Sequence, residues 1–112
     1  MKYLVTGGAG FIGSNIVKKL VARGDNVTVI DNLNTGKKEN LESIRSKITF
    51  LEDTILNVNL LEKEMEGIDG VFHQAALASV QDSFSKPEEY NNVNVNGTEN
   101  ILKLAKKYNF KV

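Results

Sequence analysis

The sequence predicts an α/β fold, a doubly wound parallel sheet with strand order 3-2-1-4, and three observations carry that prediction. Short β-rich runs alternate with helical segments, the pattern of successive βαβ units. The β-rich runs lack a clean polar/apolar alternation, as strands covered on both faces do. A glycine cluster, Gly7, Gly8, Gly10 and Gly13, separates the first strand from the first helix. Glycine loses the most backbone entropy on folding, so such a cluster needs a geometric reason. Right-handed crossovers between parallel strands then favour the doubly wound order.

Each element has its own signal. Lys2–Thr6, KYLVT, reads as a buried strand running into the glycines. Phe11–Arg23 reads as a helix with Ile12, Ile16, Val17 and Leu20 on one face, and Gly24 just past its end is a normal stop. Asn26–Asp31 is a second strand. The polar stretch NLNTGKKEN leads to a short helix around Leu41–Ser46, and Lys47–Leu51 is a third strand. A helix over Val58–Glu66 ends at Gly67, and Gly70–His73 is a fourth strand. A loop with several small residues runs to Ser85, where Ser85-Lys86-Pro87-Glu88 fits a capping box with proline in the first turn. The helix so begun reaches about Tyr108. Its inner stripe is Tyr90, Val93, Gly97, Ile101, Leu104, Ala105 and Tyr108, while Val95 and Leu102 form a second stripe expected to face solvent. At 100° per residue Asn94 falls within the apolar arc, where a buried amide needs partners. Phe110–Val112 has the look of another strand beginning.

Composition narrows the function classes. A chain of 112 residues, 41% hydrophobic and 25% charged, is expected to be one soluble globular domain. Its formal net charge of zero and pI near 6.6 argue against nucleic acid or an acidic membrane as the main partner. With no cysteine, disulfides and thiolate chemistry are excluded and a cytoplasmic location fits. No apolar run is long enough to span a membrane, and the N-terminus lacks the apolar region of a secretory signal.

Gly8, Gly10 and Gly13 fit G-x-G-x-x-G, and Gly7, Gly10 and Gly13 fit the wider G-x-x-G-x-x-G. Alone, either pattern is weak and could be a turn that only needs glycine. Here a strand precedes it, a helix follows it, and a second strand ends in Asp31, the context of a Rossmann dinucleotide site. The first glycines allow the tight turn. Gly10 lets a pyrophosphate approach the helix N-terminus, and Gly13 lets the helix pack closely. Asp31 is placed to accept both hydroxyls of a ribose. Its charge would repel a 2′-phosphate, which favours NAD over NADP. Lys37 and Lys38 are a mild counter-signal, better read as a solvated loop.

Four stretches in order, YLVTGGAGFIGSNIVKKL, VIDNLNTGKKENL, HQAALASVQDS and NVNVNGTENIL, resemble the NAD-dependent epimerase/dehydratase family, the extended short-chain dehydrogenases/reductases acting on nucleotide sugars. The nearest likeness is to UDP-hexose 4-epimerases. The resemblance covers nearly the whole chain but corresponds to about the first third of a family member, so residues 1–112 are expected to be the N-terminal part of a Rossmann domain.

Several roles are implied by this resemblance. Gly7, Gly10, Phe11, Ile12 and Gly13 would bind the pyrophosphate. Asp31 and Asn32 would bind the adenosine ribose, with the turn from Asn34 to Gly36 close by. Asp53 and Thr54 would hold adenine, unless Asp53 is simply a loop carboxylate or helix cap. Gln74, Ala75, Ala76 and Leu77 would lie beneath the nicotinamide riboside, packing alone being the alternative. Ser79, Val80 and Ser83 would contact the sugar or nicotinamide. Asn94 would support the active site from the helix behind it, or make only a structural hydrogen bond. His73 matches a packed histidine. Many UDP-galactose epimerases carry lysine where this chain has Ala78, a departure that leaves the sugar open.

The family's chemistry is hydride transfer at C4 of the sugar, with tyrosine of a Tyr-x-x-x-Lys pair moving the proton. Four residues after Tyr3, Tyr90 and Tyr108 stand Gly7, Asn94 and Val112, so none heads that pair. The chain is therefore expected to be an epimerase segment that is inactive alone, its UDP-sugar being a substrate of the full-length protein. A nucleotide-sugar 4,6-dehydratase or uronate decarboxylase segment, or a stand-alone NAD-binding module, are the alternatives. An open fourth-strand edge and a bare apolar surface predict a homodimer or a strand-exchanged oligomer.

Overall fold

The computed structural model describes residues 1–33, 36–75, 88 and 92–112, with the backbone alone for 92 and 93. Its elements are β1 (Lys2–Thr6), α1 (Phe11–Ala22), β2 (Asn26–Ile30), a 3₁₀ segment (Lys38–Lys47), β3 (Thr49–Leu51), α2 (Val58–Met65), β4 (Gly70–His73), a π-helical turn (Asn92–Gly97) and α3 (Thr98–Tyr108).

The four strands form one parallel sheet in the order β3-β2-β1-β4. In register, Thr6 lies beside Ile30 on one side and His73 on the other. All four C-terminal ends thus reach the same rim.

The sheet feeds two cores, because successive side chains point to opposite faces. Leu4, Ile30 and Val71 join Leu61 and Met65 of α2 and Ile101 and Leu104 of α3 on one face. Val5, Val27 and Val29 join Val17 and Leu20 of α1 and Leu41 of the 3₁₀ segment on the other. This is why the strands read as continuous apolar runs. Glu62 of α2 is also hydrogen-bonded to Lys107 and to the Tyr108 hydroxyl of α3, a solvent-exposed clasp. Because Leu61 is fully buried between sheet and helices, Leu61→Ala is expected to cost about 2–5 kcal/mol, read as a lower urea midpoint. An unchanged midpoint would contradict this packing.

Four expectations are corrected. Ile12 does not face the core but is 64% exposed, since the first turn of α1 stands above the sheet rim and turns Gly13 and Ser14 inward instead. The short helix is a longer 3₁₀ segment that takes in Lys47, so β3 begins only at Thr49. Over the described residues, the last helix opens with a π turn. That turn widens the spacing from i+4 to i+5, and Asn94 lies exposed rather than in the apolar arc. Gly97, Ile101 and Leu104 keep their inner positions, and Val95 and Leu102 face solvent. Finally, the β4 edge is not fully open. Lys111 bridges to Gly70 in parallel, accepting the Val71 N–H at 2.7 Å. The capping box and its proline lie outside the described residues, apart from Glu88. No helix among those residues is long and apolar enough to cross a membrane.

Candidate functional site

The rim at the strands' C-terminal ends is built around Gly7. Its N–H donates to Ile30 O at 2.8 Å, and its φ of 67° lies in the left-handed region. A Cβ there would sit 2.8 Å from the Ala75 nitrogen, so the turn is wedged against the exit of β4. The chain then closes on itself, with Gly10 N–H donating to Gly7 O at 3.1 Å. A Cβ on Gly13 would lie 2.2 Å from Gly7 O, which makes Gly13 the point where helix and turn backbones touch.

The helix N-terminus so placed is uncapped. Gly10, the N-cap, makes no side-chain bond, and the first turn carries no acid. Ser14 N–H donates to Gly10 O at 2.9 Å, so the amides of Phe11, Ile12 and Gly13 precede the first i→i−4 bond. Phe11 and Ile12 are exposed, leaving that first turn accessible. The helix dipole adds partial positive charge at this point.

Asp31 follows β2 and is 8% exposed. Its Oδ2 accepts the Ala9 N–H at 2.9 Å and its Oδ1 the Leu33 N–H at 2.7 Å. Leu33 takes a left-handed φ of 61°, which turns the chain back over the carboxylate. Gly36 lies so near that a Cβ would be 2.8 Å from Asp31 Oδ2. Ala9 O in turn accepts the Lys37 N–H at 3.0 Å and the Asn40 side-chain amide at 2.8 Å. Carboxylate, glycine turn and following loop form one fixed assembly. Each Asp31 oxygen retains a lone pair for a further donor.

Asp53 sits beyond β3. Its Oδ1 accepts the Thr54 N–H at 2.7 Å and its Oδ2 the Asn57 side-chain amide at 3.1 Å. Asn57 caps α2 by accepting the Leu60 N–H at 3.2 Å. Asp53 is therefore part of the turn that starts α2.

At the exit of β4, the amides of Gln74 and Ala75 donate to Thr6 Oγ1 at 3.0 and 3.1 Å. His73 is half-buried, with Nδ1 2.7 Å from Thr6 Oγ1 and Nε2 2.8 Å from Thr98 Oγ1. Burial pushes its pKa below 6.5.

Gly7, Gly10, Gly13, Asp31, Gly36, Gln74 and Ala75 thus converge, and Asn32 lies exposed beside Asp31. Asp53 and Thr54 close the far end of the row. Asn94 lies exposed in the π turn, where its carbonyl oxygen accepts the Thr98 hydroxyl at 2.9 Å. Asn34, Ala76, Leu77, Ser79, Val80 and Ser83 lie outside the described residues. Sequence reasoning missed Thr6, Ala9, Leu33 and Asn40, which act through backbone groups or tertiary contacts. Only the turn-prone run after Asp31 hints at Leu33.

The profile of the NAD dependent epimerase/dehydratase family matches residues 3–112. The chain belongs to that family. UDP-N-acetyl-alpha-D-glucosaminuronate decarboxylase of Bacillus cytotoxicus is 40% identical over 109 residues, which are 97% of this chain and 34% of the relative. The UDP-glucose 4-epimerase of Thermotoga maritima, solved with UDP-glucose, superposes with a TM-score of 0.90 at 40% identity, over 98% of this chain and 35% of that one. The dTDP-glucose 4,6-dehydratase of Streptomyces venezuelae, solved with NAD, gives 0.90 at 34% identity, over 98% and 37%. The chain spans about a third of the length of the relatives it matches. Its sheet is the Rossmann-type arrangement of this family, and the cofactor is NAD. The residues present fit that dinucleotide: an uncapped helix N-terminus for its phosphates and, one strand away, a fixed carboxylate for a ribose.

Proposed function

We propose that this chain is the NAD-binding segment of a nucleotide-sugar 4-epimerase acting on a UDP-hexose through a 4-keto intermediate. One observation carries the cofactor reading. Sheet order places Asp53, Asp31, the glycine turn and Gln74 in a row along one rim, which supports reading them in turn as the contacts of adenine, ribose, pyrophosphate and nicotinamide riboside. At about 4.8 Å per strand the row is roughly 14 Å long, the scale of an extended dinucleotide.

NAD supplies hydride acceptance and return. The chain's own residues bind and orient. The amides of Phe11, Ile12 and Gly13 face the phosphates, and Asp31, already held by Ala9 and Leu33, accepts the ribose hydroxyls without reorganising. The same carboxylate disfavours a 2′-phosphate. Asn32, Asn34 and Gly36 flank the ribose, and Asp53 and Thr54 meet adenine. Gln74, Ala75, Ala76 and Leu77 form the floor for the nicotinamide riboside. Asn94 supports the reacting end, and Ser79, Val80 and Ser83 meet the sugar. No tyrosine here is followed four residues later by lysine, so turnover belongs to a longer protein carrying that pair. That protein is read as a cytoplasmic homodimer, and the segment alone as inactive and prone to dimerise or exchange strands. Similarity at 40% to a decarboxylase and 34% to a dehydratase favours those activities as the second reading.

Calorimetric titration of the 112-residue chain with NAD and with NADP tests the cofactor reading. Saturable NAD binding with NADP at least tenfold weaker is expected. Equal binding of both, or none by the folded chain, would overturn it. Assay of the full-length protein for UDP-glucose/UDP-galactose interconversion, against loss of carbon dioxide or of water, separates epimerase from the second reading.

A further inference from the structure

The hydrogen bonds around His73 have one consistent arrangement of protons. Thr98 Oγ1 lies 2.9 Å from the Asn94 carbonyl oxygen, which can only accept, so the Thr98 hydroxyl hydrogen goes there. Toward His73, Thr98 Oγ1 then offers a lone pair, and Nε2, 2.8 Å away, must carry a hydrogen. On the other side, Thr6 Oγ1 accepts the Ala75 amide hydrogen at 3.1 Å and shares that of Gln74 with the Thr6 carbonyl oxygen, each at 3.0 Å. Both its lone pairs face amide hydrogens, and its own hydrogen is free to go to Nδ1 at 2.7 Å, the nitrogen that Nε2–H leaves as the acceptor. The opposite tautomer would set a bare Nε2 against the Thr98 lone pair and aim Nδ1–H at an oxygen that already faces two amide hydrogens. An imidazolium would aim its Nδ1–H at the same oxygen.

Of the elements joined by this ring, β1 and β4 are neighbours in the sheet and α3 packs on one face of it, and the ring adds a tie at their rim. β1 supplies Thr6, β4 continues into Gln74 and Ala75, and Thr98 opens α3 just after the π turn. In that turn the backbone bonds slip to i+5, and the Thr98 hydroxyl takes up the carbonyl four residues back. Gly97 also seats the turn, since a Cβ there would lie 2.3 Å from Ile55 Cδ1. The ring's hydrogen-bond partners among the described residues are the two hydroxyls. Glu99, next to Thr98, is exposed.

We propose that His73, fixed as the neutral Nε2–H tautomer between Thr6 and Thr98, is a positioning residue that locks the cofactor floor at Gln74–Ala75 to the π turn carrying Asn94. Its functional weight rests on the reading of Gln74–Ala75 as that floor. The ring itself exchanges no proton with substrate. Keeping it neutral keeps two parts of the site in register. The folded ring resists protonation relative to the unfolded chain. Its contribution is therefore present above pH 6.5 and is lost as pH falls below that value.

His73 is the single histidine, so long-range ¹⁵N–¹H spectra of the labelled chain report one ring. Expected are the Nε2–H tautomer at pH 7.5 and a midpoint below 6.5. Amide shifts at Gln74, Ala75 and Asn94 should move together with the ring as it titrates. Thr98→Val should weaken the tautomer preference, shift the Gln74 and Ala75 amides across the sheet, and weaken NAD binding severalfold. Thr98→Ser should restore all three. An Nδ1–H tautomer, or Thr98→Val shifts confined to its own helix, would overturn the proposal. So would unchanged NAD affinity in Thr98→Val. Should the unsubstituted chain bind no NAD, the cofactor reading falls, while the tautomer and amide shifts still decide the lock. Should Thr98→Val fail to fold, the titration of the unsubstituted chain decides it.

Discussion

Asp31→Ala is expected to lower NAD affinity by about a hundredfold or more and to destabilise the chain as well. Hydrogen bonds to a charged acceptor are each worth about 1.5–3 kcal/mol, and two ribose hydroxyls would lose theirs together. At ~1.4 kcal/mol per tenfold, the loss of the pair reaches that range. The stability cost has a separate origin. The carboxylate accepts the Ala9 and Leu33 amides at 2.9 and 2.7 Å, and alanine leaves both donors without it. A buried donor left unpaired costs about 1–3 kcal/mol. Calorimetry measures the first effect and thermal melting the second. A variant that binds NAD like the parent would remove Asp31 from the ribose role, whatever its melting temperature.

Gly13→Ala is expected to cost the fold more than about 3 kcal/mol, at or beyond the upper end of overpacking penalties. The added carbon would meet Gly7 O at 2.2 Å and two further atoms of Gly7 and Gly8 at 3.0 Å. All three are backbone atoms, so no rotamer change can relieve the overlap. The helix-propensity gain of about 1 kcal/mol from glycine to alanine is too small to offset it. Gly10→Ala is the informative control. Its nearest contact is Gly7 O at 3.3 Å, and its φ of −75° suits any residue. It should remain folded and lose NAD affinity, because the carbon stands where a phosphate would approach. Urea midpoints separate the two. A Gly13→Ala midpoint equal to that of the parent would contradict the close approach of helix and turn.

Much of this was legible in sequence. β1 and β4 have the predicted bounds, because an apolar run between turn residues has few other readings. Strand order followed from crossover handedness. Asp31 and the glycines stand out in the sequence because their pattern depends on local spacing. What escaped depends on partners distant in sequence. Ala9 is 22 residues from Asp31, and Thr98 is 25 from His73. Asn94 falls in the apolar arc only where a helix keeps 100° per residue, and the π turn breaks that phase. Asp53 allowed two readings in sequence. Its bonds to Thr54 and Asn57 show the turn role, and only a bound adenine would show the other.

The central position of β1 has a kinetic consequence. Its pairing with β4 brings together residues 67 apart, as in Thr6 and His73. Loop closure over such a distance precedes any reward from the contact, so folding is expected to be slow for a chain of this size. During synthesis at about 5–20 residues per second, β1 waits roughly 3–13 seconds before its second neighbour exists. Over that interval an apolar strand is available to any other nascent chain. Yield at the ribosome then depends on synthesis rate and chaperone supply as well as on the stability of the finished sheet.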